Sequence, residues 1–139
     1  MRLKILCSGT WTVIAPLDPT GECLVEAELA ALMSDPKLRA SVIGFRATWA
    51  RIPAFGPRAL GTALYHCVDE NHGIYEFIKG PLRLLCFEAS GRLVVCSHTL
   101  RKKTQRTPRP DKARALKLKE DYLAAAATGQ VIVVDDDQE

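Results

Sequence analysis

The sequence predicts an α+β domain in which an N-terminal strand and a helical hairpin pack on a small twisted antiparallel sheet, with a helix at the C-terminal end. Three observations carry this. Residues 74–96 hold three short apolar runs separated by tight-turn signals. Residues 22–52 read as two successive helical stretches. A polar, alanine-containing run from Asp111 to Ala127 then ends just before Gly129.

Taken in order, Leu3 and Ile5, then Trp11, Val13 and Ile14, flank Cys7-Ser8-Gly9-Thr10, a pattern for one bent strand or a short hairpin. Pro16, Pro19 and Gly21 break it. From Glu22 the run ECLVEAELAALM is rich in helix formers, with acids at its start where they suit the helix dipole. Ser34-Asp35-Pro36 supplies a cap and a first-turn proline, and Leu38, Val42, Phe45, Trp49 and Ile52 recur at four- and three-residue steps. Pro53, Gly56 and Pro57 end that second helix.

A strand around 63–68 precedes the turn Asp69-Glu70-Asn71-His72-Gly73. Ile74–Ile78, Leu82–Phe87 and Leu93–Cys96, joined at Lys79-Gly80-Pro81 and Ser90-Gly91, form an antiparallel meander. In the middle strand Arg83 shares a face with Leu85 and Phe87, one charge in an apolar element. Val131–Val134 reads as either an edge strand or a loose segment, and 135–139 as an acidic tail. With all helices on one face, the other sheet face is expected to be free to bind. The 139 residues read as one domain without repeat or linker.

Composition is that of a globular protein, 47% hydrophobic and 25% charged. No apolar run approaches the roughly 20 residues a bilayer crossing needs, and the N-terminal apolar stretch is too short for a signal peptide, so a cytoplasmic location is expected. The five cysteines, Cys7, Cys23, Cys67, Cys86 and Cys96, lack CxxC spacing and read as buried thiols; a zinc site using His66 and Cys67 lacks further ligands at useful spacing. Neither metal nor cofactor is predicted.

Charge is strongly polarised. Residues 101–119 hold nine Lys and Arg against one acid, Asp111, a local net of +8, while ten bases face fifteen acids elsewhere. A solvated helix face or basic tail can look like this. Thr104, Thr107, Pro108 and Pro110, however, give the run defined turn chemistry, and its position after a strand suits phosphate binding. A polyanionic partner is the expectation.

His98-Thr99-Leu100-Arg101-Lys102-Lys103-Thr104-Gln105-Arg106-Thr107-Pro108 is similar to the H-G-F-x-K-K-T-x-K-T-P signature of the phage-derived HigB-like branch of the RelE/ParE toxin superfamily. Gly73–Phe77 and Leu82–Phe87 add to the resemblance, which covers about residues 73–123. Where the family commonly has an arginine after its Tyr-Glu-Leu strand, this chain has Ile78, and the signature's glycine and phenylalanine are Thr99 and Leu100.

The resemblance implies a RelE-like fold and the toxin of a type II toxin-antitoxin system: a metal-independent mRNA interferase cutting messages at the ribosome, leaving a 2′,3′-cyclic phosphate. It implies as partners mRNA, the ribosome and a cognate antitoxin, expected to be a helix-turn-helix DNA-binding protein. Carried onto this sequence, Arg83 is a phosphate clamp, His98 a general acid or base, and Lys103 the lysine toward the active face. Lys102, Lys79 and Arg101 join as phosphate contacts, with Arg106, Arg109, Lys112 and Lys119 as a wider RNA footprint. Arg83 could instead pair with Glu76 across the meander, and His98 could be hydrogen-bonded structure. Two other readings stand beside this one: a ParE-like gyrase inhibitor, and an RNA- or ribosome-binding module without chemistry.

Overall fold

The computed structural model describes residues 1–102 and 106–135. Strands β1 (Arg2–Cys7) and β2 (Thr12–Pro16) form an antiparallel hairpin, followed by helices α1 (Leu24–Leu32), α2 (Arg39–Trp49) and the short α3 (Ile52–Phe55). A 3-10 turn at Pro57–Leu60 leads into β3 (Tyr65–Asp69), β4 (Ile74–Lys79), β5 (Leu82–Ala89) and β6 (Leu93–Arg101), and then come α4 (Arg109–Ala127) and β7 (Ile132–Val134).

All seven strands join one sheet in the order β3-β4-β5-β6-β2-β1-β7. The sheet is therefore larger than expected, and mixed: β3 to β6 form the antiparallel meander, but β2 runs parallel to β6 and β7 parallel to β1. The N-terminal hairpin and the C-terminal segment extend the meander because their apolar, β-branched residues can continue both faces of the sheet. The second helix also starts later than its cap signal suggests. Asp35 closes a turn instead, its carboxylate accepting from Lys37 N at 2.9 Å and its carbonyl from Leu38 N at 3.0 Å, so Pro36 precedes the helix.

Strand alternation divides the core in two. On one face Val13, Ala15, Phe77, Leu84, Cys86 and Cys96 meet α1 and α2 through Val25, Leu29, Val42, Phe45 and Trp49. On the other, Leu3, Ile14, Ile74, Leu85, Phe87 and Val95 meet Ala115 and Tyr122 of α4. Burying each large apolar side chain contributes roughly 1.5–3 kcal/mol, so each face has reason to be covered. The expected free sheet face is thus occupied along much of its length by α4. What stays open is the corner where β3, β4 and the chain entering α4 meet.

Among the described residues no helix is long and apolar enough to cross a membrane. The thiols of Cys86 and Cys96 are buried, and burial pushes both well above the ordinary thiol range. Cys7, half-buried, is pushed up to about 11 for the same reason. Such thiols are protonated near neutrality and poor nucleophiles.

Candidate functional site

Register sets the site. His66 pairs with Glu76 across β3 and β4, Glu76 with Leu85 across β4 and β5, and Leu85 with His98 across β5 and β6. Directly paired residues point to the same face, so His66, Glu76, Arg83 and His98 all belong to the α4 side of the sheet. A bulge places Ser97 and His98 together opposite Leu85, which keeps His98 on this face while Cys96 returns to the other.

Glu76 is the centre of this arrangement. It is fully buried, the one charged residue within the apolar run of β4. Its Oε1 lies 2.8 Å from His66 Nε2 and accepts from Lys102 Nζ at 3.2 Å, while Oε2 accepts from Thr107 Oγ1 at 2.9 Å. Arg83 Nε stands 3.5 Å from Oε1 without making a hydrogen bond. Two cations, an imidazole and a hydroxyl thus surround one carboxylate, the kind of pairing a buried charge requires. Glu76 also ties the strand meander to the chain entering α4, through Lys102 at the end of β6 and Thr107 just before the helix.

Above this carboxylate opens a cleft of about 480 Å³, lined by His66, Lys102, Arg106, Thr107, Arg109 and Lys112 among others. Five of those named are basic and none is acidic. Arg109 and Lys112 come from the first turn of α4, whose N-terminal backbone N–H groups add partial positive charge. A second, smaller hollow continues from Arg109 and Lys112 towards Asp69 and His72.

His98 is placed differently from its expected role. It is 1% exposed, with Nε2 2.8 Å from Asp111 Oδ1 and Nδ1 2.8 Å from Ser97 Oγ. Because a carboxylate only accepts, Nε2 carries the proton and Nδ1 accepts from the serine hydroxyl. Burial draws the imidazole below its ordinary pKa, partly offset by the Asp111 hydrogen bond. A sealed, doubly bonded ring fastens α4 to β6.

Arg83 is likewise engaged, donating from Nη1 to the carbonyls of Gly80 at 2.6 Å and Leu82 at 3.1 Å, besides its approach to Glu76. It lies behind the carboxylate. Lys79 and Arg101 belong to the opposite face: Lys79 packs along Gly44 of α2, and Arg101 pairs with Asp35 at 3.7 Å. Lys119 lies further along α4, donating to His72 O at 2.6 Å and standing 6.0 Å from the Phe87 ring centre. Of the expected RNA contacts, Lys102, Arg106, Arg109 and Lys112 come together. Lys103 lies outside the described residues.

The family model for phage derived protein Gp49-like (DUF891) matches residues 35–120. The chain belongs to this family. The Gp49-like match runs from the turn before α2 into α4, and so contains every lining residue of the cleft named above. No curated protein matches the chain.

Sequence reasoning missed His66, Glu76 and Thr107 as site residues. His66 stood in the least regular stretch and drew notice only as an unsupported metal ligand. Glu76 had a usable signal: an acid alternating with Ile74 and Ile78 must share their face. Thr107 was read for its turn chemistry, although its hydroxyl is buried against Glu76.

Proposed function

We propose that this Gp49-like chain is the toxin of a two-gene toxin-antitoxin pair and acts as an endoribonuclease on mRNA at the ribosome. The observation that carries the reading is the cleft itself, where His66, Lys102, Arg106, Arg109 and Lys112 converge over one buried carboxylate. A phosphodiester needs such a cluster of cations, and its cleavage by the neighbouring 2′-hydroxyl needs a proton acceptor beside them.

His66 fits that need better than His98. With Nε2 held by Glu76, Nδ1 is the ring nitrogen left for substrate, and the carboxylate orients the ring and fixes its tautomer. In the proposed step Nδ1 takes the 2′-hydroxyl proton as that oxygen attacks phosphorus. The P–O5′ bond breaks, leaving a 2′,3′-cyclic phosphate, and the departing 5′-oxygen takes a proton from the Lys102 ammonium or a water beside it. Arg106, Arg109 and Lys112 supply positive charge for the phosphoryl oxygens.

Such a cleft attracts any polyanion in a resting cell, so a cognate antitoxin that covers it belongs to the same proposal; a helix-turn-helix DNA-binding protein is the form expected. Inducible expression with and without the neighbouring gene, followed by mapping of mRNA 5′ ends, tests the whole. Cuts within translated messages, relieved by the neighbour, support it; growth arrest with intact messages overturns it.

One observation favours a second reading, RNA or ribosome binding without cleavage. Arg83 and His98, the groups the family resemblance places in catalysis, are both occupied by the protein's own hydrogen bonds. Purified protein that binds RNA or the ribosome while leaving translated messages uncut would establish that reading instead.

A further inference from the structure

A further hollow, distinct from the one beside Asp69 and His72, adjoins the basic cleft across the β3 edge of the sheet. It has a volume of about 300 Å³, shares His66 and Cys67 with the cleft, and is lined also by Arg58, Tyr65 and Tyr75. Register explains the shared wall. His66 points to the α4 face, whereas Tyr65, Cys67 and Tyr75 point to the other, so the two hollows meet around one exposed edge strand.

Two aromatic rings are layered here, with a guanidinium held beside them. Tyr65 and Tyr75 are stacked with ring centres 5.0 Å apart and planes 3° from parallel. The Arg58 guanidinium carbon lies 5.6 Å from the Tyr75 ring centre. Arg58 is held there by Glu88, which accepts from Nε at 3.1 Å, and by Tyr75 Oη, which accepts from Nη2 at 3.2 Å. Glu88 is fixed in turn by the Tyr65 hydroxyl at 2.8 Å. The guanidinium is therefore oriented from two sides, yet the Arg58 side chain remains 71% exposed.

We infer that Arg58 is a stacking platform for a nucleobase of an RNA strand whose neighbouring phosphate lies in the basic cleft. A guanidinium fixed by hydrogen bonds lying in its own plane and otherwise exposed offers a flat face for stacking, and unpaired bases stack on such planes irrespective of sequence. The shared His66 places that base next to the phosphate at which the proposed proton transfer occurs. The exposed β3 edge lets the strand turn from one hollow into the other. This inference rests on the RNA-binding part of the proposed function and not on cleavage.

The test uses full-length protein and short 2′-O-methyl oligoribonucleotides, which lack the attacking hydroxyl, carrying 2-aminopurine or an abasic residue at each position in turn. Stacking should quench the 2-aminopurine at one position, and Arg58→Ala should abolish the quench and weaken binding of that oligonucleotide about tenfold. The abasic counterpart should bind both proteins about equally. Arg58→Lys, which keeps the charge but not the plane, should behave as the alanine variant does. Equal weakening of base-containing and abasic oligonucleotides, or full recovery by lysine, overturns the inference by making Arg58 a simple phosphate contact. Messages left uncut on translating ribosomes while the Arg58-dependent quench persists support the platform and sink only the nuclease reading. Failure of every oligonucleotide to bind overturns both.

Discussion

Glu76 stands directly across the β3–β4 ladder from His66, and its Oε1 lies 2.8 Å from the imidazole Nε2. The same oxygen accepts from Lys102, and the other from Thr107, so this one carboxylate positions an edge-strand histidine and both ends of the basic segment. Geometry of the cleft therefore depends on an atom group that the cleft itself covers.

The first expected outcome concerns stability. Glu76→Ala leaves Lys102, with its side chain 8% exposed, and Arg83, at 16%, without their shared anion. Breaking a buried ionic cluster from one side costs about 3–5 kcal/mol. Urea unfolding should show that loss as a lower midpoint with an unchanged slope. Lys102→Met combined with Glu76→Gln should recover part of it, because the uncompensated charges are then fewer.

The second concerns acid. His98 has a folded-state pKa lowered from 6.5, chiefly by burial. Above 6.5 both folded and unfolded forms hold a neutral ring, and the contribution is complete. As the pH falls below 6.5 the unfolded chain takes up a proton that the folded chain resists, and stability declines through the folded-state value. Thermal melts from about pH 8 down to pH 5 should show this decline. His98→Gln, though less stable at the upper end, should show a shallower loss.

Much of the fold was legible because local signals and tertiary needs agreed. The turns at Gly80 and Gly91, both with positive φ, set the meander, and Gly129 ended α4 as its φ of 69° allows. The late start of α2 and the parallel pairing of β2 with β6 were not legible. The first depends on a competing Asp35 turn, and the second on contacts between segments about 80 residues apart, which no local pattern records. At the site, alternation in β4 and β5 correctly put Glu76 and Arg83 together. It could not reveal that α4 covers His98, since that depends on where the helix lands.

Ionic strength gives a third outcome. Arg106, Arg109 and Lys112 line the cleft, whereas Lys79 and Arg101 face α2 and Asp35. Neutralising any one of the first three should reduce the slope of log affinity against log salt by about 0.7 for single-stranded RNA, one phosphate contact each. Lys79→Ala and Arg101→Ala should leave the slope unchanged. Fluorescence anisotropy with a short RNA over a salt series measures both, and an equal effect from the two sets would mean that RNA spreads across both faces.

The last outcome separates chemistry from binding. If Nδ1 of His66 accepts the 2′-hydroxyl proton, His66→Ala should lower the rate of RNA cleavage by about 10²–10⁴-fold, the usual contribution of a positioned general base. Affinity for an uncleavable 2′-O-methyl RNA should stay within about twofold, because Lys102, Arg106, Arg109 and Lys112 still hold phosphates. Glu76→Gln should also slow cleavage, since an amide does not fix the ring's orientation and tautomer as the carboxylate does, but it should do so with His66 still present. His98→Ala should act through stability, so that activity lost on warming returns at low temperature. Single-turnover cleavage beside equilibrium binding distinguishes these cases. A His66→Ala protein that cuts as fast as the wild type would remove His66 from the chemistry and pass the proton acceptor's role to another group of the cleft.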